Sequence, residues 1–188
     1  MPDPGAPDTS VAPTAATTAG STATRSWQLP DPTGVATYSE FGDIVTAPGR
    51  TNAIQITEGG IASTAVVFRV KSIELDKGCI EKAKPENGHF LVISLDVEVR
   101  SATPETLDEE GIAFSAYNWE AWTTAGDPQP AINSDAADTC VGDQGIPLTA
   151  ELDPDGVTSG LVVLDVTEAE GTVVFDAGLD SGWEFSYP

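Results

Sequence analysis

His89-Phe90-Leu91-Val92-Ile93-Ser94-Leu95-Asp96-Val97-Glu98-Val99-Arg100 is the stretch whose reading decides the fold. Leu91, Ile93, Leu95, Val97 and Val99 fall at every second position, the period of a strand that buries one face. The alternate face carries Phe90 and Val92, then Ser94, Asp96, Glu98 and Arg100. Such a strand begins buried on both sides and ends at the surface. Upstream, Val66, Phe68 and Val70 alternate with Arg69 and Lys71, and the phase slips at Ser72 to Ile73 and Leu75, which predicts a β-bulge. Downstream, Ile112 to Trp122 reads as an aromatic-rich strand. Pro128, Pro130, Asp135, Asp138 and Gly142 then mark a long loop around Cys140. Gly160 to Val166 reads as a central strand, introduced by the turn Asp153-Pro154-Asp155-Gly156. The chain closes on Val173, Val174 and Phe175, a turn at Asp180-Ser181-Gly182, and Trp183, Phe185 and Tyr187 on one face. No long helix is visible, and about seven short strands at this spacing specify an all-β, antiparallel sandwich.

Composition divides the 188 residues into three parts. Residues 1–26 are almost wholly Thr, Ala, Pro, Ser, Gly and Asp, with too little apolar surface to offset the entropy of ordering. They read as a disordered tether of the kind that spaces an exported domain from its anchor. Residues 27–52 differ: Trp27, Leu29, Tyr38, Phe41, Ile44 and Val45 stand among prolines and glycines without helical or strand period. This segment reads as an extended strap on the domain or a docking segment for a partner. Residues 53–188 form the sandwich. No apolar run is long enough to span a membrane. The chain opens Met1-Pro2-Asp3-Pro4, and the expectation is that a start Met replaces a signal segment, any lipid anchor lying before residue 1.

Eight Lys and Arg stand against thirty Asp and Glu, a formal charge of −22. That charge repels phosphate backbones and anionic lipid headgroups, which excludes nucleic acid as a primary partner. Residues 101–188 hold eighteen acidic residues and no Lys or Arg, whereas six of the eight basic residues fall between Arg69 and Arg100. The plain account of the imbalance is solubility in an extracellular medium.

Cys79 and Cys140 are too far apart for a redox or zinc motif, and His89 is the only histidine. A structural disulfide accounts for them better than two buried thiols, and it implies an oxidising compartment. Serine hydrolysis would need His89 as base, but its place at a strand start suits an ordinary strand-end histidine. Asp180-Ser181-Gly182 is a hairpin turn rather than a nucleophile motif. Asp153, Asp155 and the group Asp135, Asp138 and Asp143 could supply calcium oxygens, yet none follows a calcium-loop spacing, and solvated turns explain them. The expectation is no catalytic residue, no metal and no cofactor. The aromatics offer binding chemistry: Tyr117, Trp119 and Trp122 lie beside Asn118 and Glu120, and together with Trp27, Tyr38 and Phe41 they are the candidate binding residues. For Tyr117, Trp119 and Trp122 the alternative is burial in the core.

Phe68-Arg69-Val70, Asn87-Gly88-His89-Phe90-Leu91-Val92-Ile93 and Leu95-Asp96-Val97-Glu98-Val99, with Leu152-Asp153-Pro154-Asp155-Gly156 and Gly160-Leu161-Val162-Val163-Leu164-Asp165-Val166, resemble an immunoglobulin-like domain of unknown function. That domain occurs in envelope lipoproteins of actinobacteria and other Gram-positive bacteria and is similar to a secreted mycobacterial immunogenic antigen. The resemblance spans roughly residues 53–188; the chain departs from it at Arg100-Ser101, where the family has Asn, and over residues 27–52. It implies the sandwich fold and an envelope location, and it carries no catalytic residue. The resulting expectation is a non-enzymatic envelope or secreted module that docks on another extracellular or membrane-anchored protein. The alternative is a glycan- or small-ligand-binding lipoprotein.

Overall fold

The computed structural model describes residues 28–77, 79 and 83–188. The tether assigned to residues 1–26 and Trp27 lie outside the described residues. Two sheets pack face to face. One contains β3 (Thr51–Glu58), β4 (Ile61–Leu75), β5 (His89–Val99) and β7 (Val157–Val166), side by side in the order β3-β4-β5-β7 and antiparallel throughout. The other contains β1 (Thr37–Tyr38), β2 (Ile44–Val45), β6 (Trp119–Thr123), β8 (Gly171–Phe175) and β9 (Trp183–Tyr187), in the order β1-β2-β9-β8-β6. In connectivity, β4-β5-β7 and β6-β8-β9 correspond to strands A-B-E and C-F-G of an immunoglobulin sandwich. The expected all-antiparallel pairing has one exception: β2 runs parallel to β9. No helix among the described residues is long and apolar enough to cross a membrane.

The alternation in β5 orients the whole domain. Leu91, Ile93, Leu95, Val97 and Val99 are buried against Val173, Phe175, Trp183 and Phe185 of the facing sheet. Phe68 joins the layers, its ring centroid 4.9 Å from Trp183 at 90° and 5.2 Å from Phe175. These edge-to-face contacts add to the area buried. The ladder between β4 and β5 slips between Val70 and Ser72, where the sequence predicts the bulge. On the opposite face of β5, Phe90 and Val92 pack with Val163, Ala137 and Cys140 in a second, smaller cluster. Cys140 is disulfide-bonded to Cys79, with 4.6 Å between Cα atoms.

Four sequence expectations need correction. First, the far end of β5 does not emerge at the surface, because Asp96 and Glu98 are 6% and 1% exposed. Asp96 is held by Arg69 at 2.8 Å, Lys71 at 2.9 Å and the Ser159 hydroxyl at 2.6 Å. Burial alone would raise its carboxyl, but the hydrogen bonds from Ser159, Arg69 and Lys71 and the charge of Lys71 outweigh that and hold it below its ordinary value. Glu98 accepts the backbone N–H groups of Gln28 and Leu29 at 2.7 and 3.0 Å, and Arg100 also pairs with it. The segment that follows residue 27 therefore lies across this end of the sheet, with Leu29 buried.

Second, Ile112 to Trp122 is a strand only from Trp119. Ile112 and Phe114 are buried outside any strand, and a 3-10 turn at Ala116–Asn118 precedes β6. Third, the loop around Cys140 contains a helix, α2 (Asp135–Val141), and Pro104–Glu109 forms α1. Ser134 caps α2 by accepting from the Ala137 N–H, with Asp135 and Asp138 in the first turn. Thr103 caps α1 ahead of Pro104. Both are short helices with good N-terminal signals and no visible apolar period. Fourth, β7 is an edge strand rather than a central one. Its edge is covered where the Ile146 N–H donates to Leu161 O at 2.9 Å. Gly160 makes this possible, since a Cβ there would lie 2.4 Å from Ile146 Cα.

Candidate functional site

The outward face of the five-stranded sheet follows from strand alternation. In β6, β8 and β9 the residues Trp119, Ala121, Val173, Phe175, Trp183 and Phe185 point into the core. Their neighbours must therefore point outward. Register places them in two rows across three strands: Glu120, Val174 and Glu184 in one, Trp122, Thr172 and Ser186 in the other. Gly171 lets β6 and β8 meet here, as a Cβ would lie 2.3 Å from Trp122 O and 2.9 Å from the Tyr187 hydroxyl.

The turn between β1 and β2 stands at one side of this face. Ser39 N–H donates to Asp43 O at 2.8 Å and Gly42 N–H to Ser39 O at 3.2 Å, with Gly42 at φ 95°, a conformation that favours glycine. The turn is fastened to β9 by Asp43, whose carboxylate accepts the Gly182 N–H at 2.8 Å, and by Ile44 N–H donating to Gly182 O at 2.9 Å. Held this way, Phe41 projects over the sheet while remaining 74% exposed. Its ring lies 6.3 Å from that of half-buried Trp122, with the planes 12° apart. Both rings line a groove of about 700 Å³.

Positive charge is segregated by sheet, although acidic residues occur in both. Among the described residues the groove is lined by Glu40, Asp43, Glu120, Glu170 and Glu184 and by no Lys or Arg. The described basic residues all sit in β4 or in segments adjoining β3, β4 and β5. Tyr187, at the end of the groove, turns its ring into the core with Trp183 and Phe185, where it accepts a hydrogen bond from Gln129 Nε2 at 2.7 Å. Burial pushes its phenol up from the usual value of 10.0, and the Glu168 charge adds to this against the Gln129 bond.

Of the sequence-predicted binding residues, Phe41 and Trp122 are brought together. Tyr38 and Tyr117 are exposed, at 59% and 78%, but neither lines the groove. Trp119 belongs to the core, 3% exposed with its ring 5.3 Å from Phe175. The groove carboxylates Glu40, Asp43, Glu170 and Glu184 were not legible as site residues. The usable signal was the alternation Trp183-Glu184-Phe185-Ser186-Tyr187, which turns Glu184 and Ser186 to the face opposite the aromatics.

His89 Nδ1 lies 2.7 Å from Asp76 Oδ2, at the end of the other sheet. Asp155 N–H donates to Asp153 at 2.8 Å, closing a local turn. Among the described residues no group of three His, Cys, Asp or Glu is placed to hold a metal ion. Set against protein-family models, curated proteins and solved structures, the chain matches none of them.

Proposed function

We infer that this domain is a non-enzymatic cell-envelope module that docks on another extracellular or membrane-anchored protein through the outer face of its five-stranded sheet. The observation that carries this reading is the Phe41–Trp122 pair. An apolar ring held 74% exposed on a fastened turn, opposite a half-buried tryptophan, is apolar surface left uncovered by the described residues. Aromatic side chains on a rigid sheet bury large area at low entropic cost, the property of interface anchors. The disulfide and the resemblance to lipoprotein domains support an envelope setting.

Glycan or small-ligand binding is the second reading, favoured by the same ring pair and by a groove of about 700 Å³, within the size range of ligand pockets. A photo-crosslinker at Ser186 or Thr172, used on detergent-solubilised membranes of the source cell, separates the two. A discrete crosslinked protein that is lost in Phe41→Ala/Trp122→Ala supports docking. Competition by soluble oligosaccharide, with no protein crosslinked, supports the glycan reading and refutes docking.

A further inference from the structure

The groove has the chemistry of a receptor for positive charge. Glu120 and Glu184 face outward on either side of Val174, two strand spacings or roughly 9–10 Å apart. Glu40, Asp43 and Glu170 continue the acidic lining. Residues 101–188 contain no Lys or Arg, so β6, β8 and β9 cannot neutralise these carboxylates themselves. Trp122 and Phe41 stand in the same groove, and an aromatic face attracts a cation. Rings and carboxylates together select a cationic side chain, which each would bind weakly alone. The carboxylates do not converge as a metal site does. A second copy is a poor occupant, since each chain carries −22 and like-charged copies repel.

We propose that the occupant of this groove is a lysine- or arginine-bearing segment of the partner protein, laid across β6, β8 and β9 with its cationic side chains against Phe41 and Trp122 and among the groove carboxylates. This rests on the docking reading above and adds the chemistry of what docks. The groove thereby accepts basic segments and rejects acidic ones, a specificity set by charge more than by shape.

Calorimetric titration with tetra-arginine, tetra-lysine and tetra-glutamate peptides and with a neutral oligosaccharide tests it on the full chain. The variants are Glu120→Gln/Glu184→Gln, Trp122→Ala and a charge-matched control, Glu109→Gln/Glu110→Gln at the exposed C-terminal end of α1; melting temperatures verify that each is folded. The expected result is binding of the basic peptides alone, weakened about tenfold by each groove variant and less than about twofold by the control. Equal weakening by the groove pair and the control would overturn the proposal, because it marks diffuse attraction to an acidic protein. So would absence of peptide binding, or oligosaccharide binding that depends on Trp122. A partner whose Ser186 crosslink survives Glu120→Gln/Glu184→Gln and about 0.5 M salt leaves docking in place and removes the basic occupant. Loss of that crosslink in the charge variant and in salt supports the basic occupant, whereas absence of any crosslinked protein with the unsubstituted groove removes docking itself.

Discussion

Replacing Glu98 with Leu should release the segment beginning at Gln28 and cost the domain about 2–4 kcal/mol. The magnitude follows from what the carboxylate holds. It is 1% exposed and accepts the N–H of Gln28 at 2.7 Å and of Leu29 at 3.0 Å. A hydrogen bond to a charged group contributes about 1.5–3 kcal/mol where water cannot replace it. Leu29 is buried, so its amide loses its partner at nearly full cost, whereas Gln28 is exposed and water takes over there. Losing a charged neighbour of buried Arg100 adds to the same side. At roughly 2–4 °C per kcal/mol for a domain of this size, the melting temperature should fall by about 5–15 °C. Asp31, the 82%-exposed partner of Arg100, provides the contrast, and Asp31→Ala should hardly move the transition. Calorimetry gives the magnitude, and amide exchange at Leu29 shows whether the segment has detached. A Glu98→Leu protein that melts within about 2 °C of the original and keeps Leu29 protected would show that other contacts hold the segment.

Other perturbations probe different parts of the fold. The Asp96 carboxyl is lower in the folded than in the unfolded chain, so its contribution is complete above the ordinary 3.8 and is lost as pH falls through the folded value; acid titration of stability should show a component in this window that Asp96→Asn removes. Reducing Cys79–Cys140 should destabilise by about 4 kcal/mol on the chain-entropy account of its loop, read from denaturant midpoints with and without reductant, while mass spectrometry of the unreduced chain should find no free thiol. Gly160→Ala puts a methyl 2.4 Å from Ile146 Cα and 2.6 Å from its nitrogen, so the chain crossing at Gly145 must move off β7. A loss of about 1–3 kcal/mol or more is expected, and an unchanged melting temperature would mean that the crossing yields freely.

Where one residue's surroundings are its near neighbours in sequence, the chain alone determined the outcome. The period of two in Leu91 to Val99 specifies the central strand and its buried face, since a single pleat suffices to sort them. The phase slip at Ser72 likewise marks the bulge. The helix signals at Thr103-Pro104 and Ser134-Asp135 were present too, but short helices carry no apolar period to announce them. Tertiary structure decided what depends on partners distant in sequence. Asp96 and Glu98 read as surface residues until Ser159 and the Gln28–Leu29 backbone arrive from more than sixty residues away and bury them. The groove is of this kind throughout: Phe41, Trp122 and Glu184 come from three separate segments, and only the pairings of β2 with β9, β9 with β8 and β8 with β6 carry Phe41 over to Trp122. Aromatic composition showed that rings were present. It could not sort Trp119 from Trp122, because alternation names two faces of a strand and only the packing of the second sheet makes one of them the inside.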